Sequence, residues 1–140
     1  MAELRMLQAI NRALSDAMEA DGSVILLGED IANAGGPFGA TRGLRDKFGP
    51  DRVRDTPIAE AALVGASVGA ALTGLKPVAE IMFMDFITLA MDALVNQAAK
   101  ARFMFGGFLR GGGGWAEAVP AHYAPAQRGR LKGRLRTRRP

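Results

Sequence analysis

Glu60 stands in a run of small and apolar side chains, Glu60-Ala61-Ala62-Leu63-Val64-Gly65-Ala66-Ser67-Val68-Gly69, where a carboxyl group has two possible uses. In the first turn of an apolar helix its charge is favoured by the helix dipole, typically by ~0.3–1 kcal/mol. Facing a dry pocket instead, it can share a proton with a basic partner that water would otherwise outcompete. Residue types alone leave both readings open.

Other chemistry is removed by elimination. There is no G-x-G-x-x-G and no G-x-x-x-x-G-K-[ST], so no familiar loop cradles a phosphate. Gly35-Gly36-Pro37-Phe38-Gly39 has the wrong spacing, and Pro37 lacks a donor where one is needed; it reads as a turn. His122 is the only histidine and there is no cysteine. Histidine-pair metal sites, thiolate chemistry and disulfides are therefore excluded, no metal ligands are assigned, and His122 reads as solvated. A cysteine-free chain fits a reducing compartment, and the expectation is a cytoplasmic protein.

The elements that must position Glu60 follow from periodicity. Leu7, Ile10, Leu14 and Met18 recur at three- and four-residue steps, predicting an amphipathic helix that stops at Asp21-Gly22. Val24 to Leu27 is an unalternating apolar run, as in a parallel strand covered on both faces. Gly28 to Gly39 is a loop, and a short helix spans Thr41 to Phe48. A brief strand around Val53 leads into Asp55-Thr56-Pro57, where Thr56 suits a helix cap and Pro57 a first helical position. The helix Ile58 to Leu75 is then apolar on every side. Its Gly65, Gly69 and Gly74 each cost about 0.8–1 kcal/mol against alanine and point to close approach of another backbone. Val78 to Phe83 reads as a strand. Asp85 is placed to cap a third long helix, Phe86 to Phe103, with Lys100 and Arg102 at its negative end. This order predicts an α/β fold, a parallel sheet flanked by helices.

At 140 residues, 49% hydrophobic and 23% charged, the chain reads as one globular domain. Its longest uncharged apolar stretch, Ala61 to Leu75, is 15 residues, short of the roughly 20 that span a bilayer, so no membrane association is expected. The net charge of +4 divides unevenly: residues 1–109 carry −3 and the segment from Arg110 carries +7. Residues 1–109 are expected to form the domain. Residues 110–140, with their glycine run and seven basic residues between Arg128 and Arg139, read as a disordered basic Gly/Arg-rich tail. Such a tail could grip nucleic acid, but the body is acidic and no stacking array accompanies Trp115 and Tyr123, so no nucleic-acid partner is assigned.

The run Arg54-Asp55-Thr56-Pro57-Ile58-Ala59-Glu60, followed by Gly65 and Gly69, resembles the β-subunit family of thiamine-diphosphate-dependent 2-oxo acid dehydrogenases, which includes the pyruvate, branched-chain and acetoin enzymes. Leu27-Gly28-Glu29-Asp30, Thr41-Arg42-Gly43-Leu44, Phe48-Gly49-Pro50-Asp51-Arg52-Val53, Gly74-Leu75-Lys76-Pro77-Val78-Ala79-Glu80 and Asn96-Gln97-Ala98-Ala99-Lys100 agree with it. The similarity runs from about Leu4 to Gly107. It implies an incomplete transketolase-like pyrimidine-binding domain, with thiamine diphosphate as cofactor. By the same resemblance Glu60 hydrogen-bonds the aminopyrimidine ring nitrogen and favours the imino tautomer that deprotonates the thiazolium carbon, Phe86 stacks on the ring, and Met82 packs nearby. Met82 reads equally well as a core gap-filler. The implied partners are an α subunit, which holds the diphosphate and its magnesium, a second β subunit, and the lipoyl acyltransferase core.

Beyond Gly107 the resemblance stops. Members of the family continue through further strands, a histidine-bearing Gln-His-Ser-Gln segment and a second domain; Ala121-His122-Tyr123 does not reproduce that segment. The expectation is a segment cut short, inactive alone, whose tail resembles a GC-rich gene read out of frame. The alternative is a non-catalytic module that docks on an α subunit.

Overall fold

In a computed structural model, residues 5–105 are described; the tail expected over 110–140 lies outside them. Helix α1, Met6–Ala20, forms as its period predicts. The Arg5 amide donates to Gln8 Oε1 (3.1 Å) at its start. At its end the Asp21 carboxylate accepts from the Ser23 amide (2.8 Å), the Ser23 hydroxyl (2.6 Å) and the Lys76 ammonium. Lys76, then Ser23, holds that carboxyl well below the usual carboxylate range. Strand β1, Val24–Gly28, follows directly.

β1 is the centre of a three-stranded sheet of order β2-β1-β3, with β2 at Val53–Asp55 and β3 at Lys76–Glu80. Both pairings are parallel: Leu26 faces Val53 on one side and Val78 on the other. Leu26 and Val53 join Met18, Val24, Ile31, Ala32 and Leu44 in one apolar cluster, closed by α1 and by α2 (Leu44–Phe48). Alternation sends Ile25 and Leu27 to the opposite face. Helix α3, Glu60–Leu72, packs against β1 and β3 and builds a second cluster from Val64, Val68, Ala90 and Ala93. The parallel sheet flanked by helices is therefore the architecture the pattern of elements implies.

One side chain ties the first layer together. The Arg52 guanidinium donates to Met18 O and Asp21 O (both 2.8 Å) and to Val24 O (2.9 and 3.0 Å), and lies 5.3 Å from the centre of the Phe48 ring. It thus gathers carbonyls where α1 ends and β1 begins, sharing Asp21 O with the Val24 amide (3.2 Å).

Four elements differ from expectation, the first being α2, which starts at Leu44 after Gly43 in a left-handed conformation (φ +77°) rather than at Thr41. α3 begins at Glu60 with Ala59 at its cap, not at Thr56. The Thr56 amide donates to Gly28 O (2.8 Å), which prolongs the β1–β2 pairing and keeps Thr56 extended. The same helix stops at Leu72 because Gly74 adopts φ +97°, a left-handed stop open to glycine. β3 is Lys76–Glu80 rather than Val78–Phe83, since the Lys76 amide bonds Ser23 O (2.9 Å) and β1 offers partners only to Gly28. The third helix is three pieces: a 3-10 turn at Met84–Ala90 capped by Phe83 rather than Asp85, a π segment at Asp92–Ala98, and α4 at Ala99–Met104. Asp92 accepts from the side chains of Asn96 (2.8 Å) and Gln97 (3.1 Å), and the second bond, five residues on, matches the wider π spacing.

α3 is not buried all round. Leu63, Val64, Ser67 and Val68 are covered, whereas Ala61, Ala62, Ala66 and Gly69 are exposed. A Cβ at Gly65 or Gly69 would meet nothing within 4 Å, so among the described residues no backbone approaches them. Ile58, Phe103, Met104 and Phe105 are also exposed. No helix of the described residues is long and apolar enough to cross a membrane.

Candidate functional site

Open parallel sheets bind ligands in the crevice beyond the carboxyl ends of their strands. Here those ends deliver Glu29 after β1, Asp55-Thr56 at the end of β2, and Glu80 at the end of β3. β1 is close against its neighbour: a Cβ on Gly28 would lie 3.0 Å from Glu80 Cβ and 2.8 Å from Ile31 Cγ2, so only glycine fits. The loop beyond is pinned from three sides. Gly36 N–H donates to Asp30 O (2.9 Å), the Thr41 hydroxyl to Ile31 O (2.8 Å), and the Asn11 amide to Ala40 O (2.8 Å). Asp30 itself sits at φ 55°, a left-handed conformation uncommon outside glycine.

Glu60, in the first turn of α3, is 6% exposed and Glu29 is 3% exposed. Burial pushes the Glu29 carboxyl above its ordinary range, and the negative charge of Glu60 pushes it further, with Asp30 adding less; the Ala59 amide, donating to Glu29, opposes them. Glu29 Oε1 is buried without a hydrogen-bond partner, as is Thr56 Oγ1. Two buried carboxyl groups thus stand near the start of α3, and the charge of Glu60 disfavours ionisation of Glu29. A carboxyl group raised by burial, as Glu29 is, can hold a proton.

The other two expected residues follow β3. Met82 is half-buried in the bend after the strand, not on it. Phe86, in the 3-10 turn that packs against α3, is 43% exposed. Its ring meets Phe83 edge to face at 6.0 Å, and Phe83 meets Phe38 likewise at 6.2 Å, so Phe86 is held from one edge. Glu80 is set apart. Burial raises its carboxyl too, but its Oε1 lies beneath the loop, 3.1 Å from where a Gly36 Cβ would sit. Among the described residues no three His, Cys, Asp or Glu side chains gather as metal ligands.

Sequence reasoning passed over Glu29 and gave Thr56 only a capping role. A signal existed: Glu29 follows directly on the strand Val24–Gly28, where a parallel strand delivers its chain to the crevice.

Residues 2–128 match the family model described as the transketolase, pyrimidine binding domain. The chain is 46% identical over 103 residues to the 2-oxoisovalerate dehydrogenase subunit beta of Bacillus subtilis, covering 74% of this chain and 32% of that one. It is 54% identical over 99 residues to the 3-methyl-2-oxobutanoate dehydrogenase subunit beta of Mycobacterium tuberculosis (71% and 28%). It is 43% identical over 128 residues to the pyruvate dehydrogenase E1 component subunit beta-1 of Oryza sativa (87% and 34%). The chain thus spans about a third of the length of these relatives.

Proposed function

Because this chain belongs to the transketolase pyrimidine-binding domain family, we propose that it forms the aminopyrimidine-binding part of a 2-oxo acid dehydrogenase β subunit. The observation that carries this reading is the buried Glu29–Glu60 carboxyl pair at the start of α3, on the helix that packs against the Phe86 turn. The residues fit a flat, basic heterocycle. Glu60 supplies a carboxyl group out of water, and Phe86 supplies an open aromatic ring for stacking. Met82, half-buried on the same segment, fills space beside it.

Thiamine diphosphate, when bound, supplies the carbanion chemistry that cleaves a 2-oxo acid. The chain's own part is narrower. Glu60 accepts and returns one proton at the ring nitrogen, and Glu29 is the neighbouring carboxyl that burial and the charge of Glu60 push above its ordinary range. The cofactor's diphosphate and magnesium belong to an α subunit in this reading, so a single chain has no turnover. The open face of α3, with Ala61, Ala62, Ala66 and Gly69, is the surface that a partner subunit covers; a second β subunit and a lipoyl acyltransferase core complete the assembly. That face also favours the second reading, a module that docks on an α subunit without catalysis.

Cofactor binding separates the two. A hybrid carrying residues 1–107 on the remainder of a full-length β subunit is co-expressed with its α subunit, and magnesium thiamine diphosphate is titrated by calorimetry. Phe86→Ala is expected to weaken binding about tenfold, as loss of one stacked ring implies. Equal dissociation constants for the two proteins exclude the stacking role, and assembly without any cofactor binding favours the docking module.

A further inference from the structure

Three rings meet edge to face beyond the carboxyl ends of the sheet. Phe38 lies on the loop after β1, Phe83 in the bend after β3, and Phe86 in the 3-10 turn that follows. The Phe38 and Phe83 rings are 6.2 Å apart at 81°, and those of Phe83 and Phe86 are 6.0 Å apart at 89°. This perpendicular approach is one that ring quadrupoles favour. All three residues are exposed, so burial alone does not fix their rings.

The two ends of this row are held differently. At the Phe38 end the backbone is tied down. The Gly36 amide donates to Asp30 O (2.9 Å), the Gly39 amide to Gly36 O (3.1 Å) and the Thr41 amide to Gly35 O (3.1 Å). Gly35, at φ +81°, passes so close to Arg42 that a Cβ would lie 2.9 Å from its Cα, and Pro37 fixes its own φ just before Phe38. Phe86, by contrast, stands in a 3-10 turn, where hydrogen bonds are poorer than in an α-helix. Its amide donates to Phe83 O (3.0 Å), so Phe83 supports Phe86 through both its carbonyl and its ring. We propose that Phe38 is a positioning residue: through Phe83, it fixes the orientation in which the Phe86 ring meets the aminopyrimidine. This rests on the proposed stacking role of Phe86, whereas the ring contacts themselves do not.

The first test uses the full 140-residue chain without thiamine diphosphate. Three-bond couplings measured by NMR give the side-chain rotamers of Phe86. Phe38→Leu keeps an apolar side chain but removes the ring. It is expected to lower the ratio of the main Phe86 rotamer to the others about two- to tenfold, the worth of one edge-to-face contact. Phe83→Leu does the same, and Phe38→Tyr, which keeps the ring, restores the ratio. In the assembled hybrid, Phe38→Leu weakens binding of magnesium thiamine diphosphate by a similar factor, but adds nothing once Phe86→Leu is present. A purely structural loss would instead add in both backgrounds. Phe86→Leu binding the cofactor as well as the parent would remove the stacking reading, and the contact would then stand or fall by the rotamer alone. A Phe86 rotamer ratio unmoved by Phe38→Leu, or additive losses of binding, overturns the proposal.

Discussion

Glu60→Gln in the assembled hybrid lowers the rate of 2-oxo acid decarboxylation on the order of 10²–10⁴-fold, the usual size of a lost general acid–base contribution. Glutamine keeps the length and one acceptor of the side chain but carries no transferable proton. Glu60 is buried at the first turn of α3 and adds nothing to either apolar cluster, so unfolding changes little. Glu80→Gln is the matched control. It is also a carboxyl raised by burial, yet it sits under the Gly36 turn, and its replacement leaves the rate near that of the parent. Near-full activity in Glu60→Gln with loss in Glu80→Gln would assign the proton-sharing role to the wrong carboxylate. Silence in both would leave Glu60 with the helix-dipole role alone.

The largest stability effect is expected at Arg52. Arg52→Ala in the full chain removes the donors to Met18 O, Asp21 O and Val24 O and the cation over Phe48, and leaves Asp21 O with the Val24 amide (3.2 Å) alone. The cost is on the order of 3 kcal/mol, read from urea midpoints at constant slope. Arg52→Lys recovers little of it, because one ammonium cannot span the carbonyls that the planar fork reaches. Arg54→Ala, whose only ion pair among the described residues is an exposed contact with Asp51 at 3.7 Å, changes stability by less than about 0.5 kcal/mol. Equal costs at the two arginines would remove the clamp from the account.

Local pattern and tertiary outcome diverge at identifiable residues. Helix α1 was legible because Leu7, Ile10, Leu14 and Met18 keep one period, and β1 because Val24 to Leu27 has no polar interruption. The proline and glycines after Gly28 announced the loop. Thr56 misled because its capping propensity is local, whereas its amide is claimed by Gly28 across the sheet. The break of the last helix into 3-10, π and α pieces depends on side-chain bonds of Asp92 that periodicity does not register. Gly65 and Gly69 suggested a close backbone, and among the described residues none is there.

The site was half legible. Glu60 stood out as an acid in apolar surroundings, and the family resemblance pointed to Phe86 and Met82. Glu29 did not stand out, since an acid after a strand usually reads as a solvated loop residue. Its burial, and the hydrogen bond from the Ala59 amide just before α3, arise only in the folded chain.

The central claim is that Glu60 shares a proton with the aminopyrimidine ring. Thiamine diphosphate labelled with nitrogen-15 at that ring nitrogen, bound to the assembled hybrid, reports on it without turnover. The account predicts a resonance shifted from the free cofactor toward the protonated ring, and a return to the free position in Glu60→Gln. The same resonance position in both proteins, with the cofactor bound in each, would contradict it.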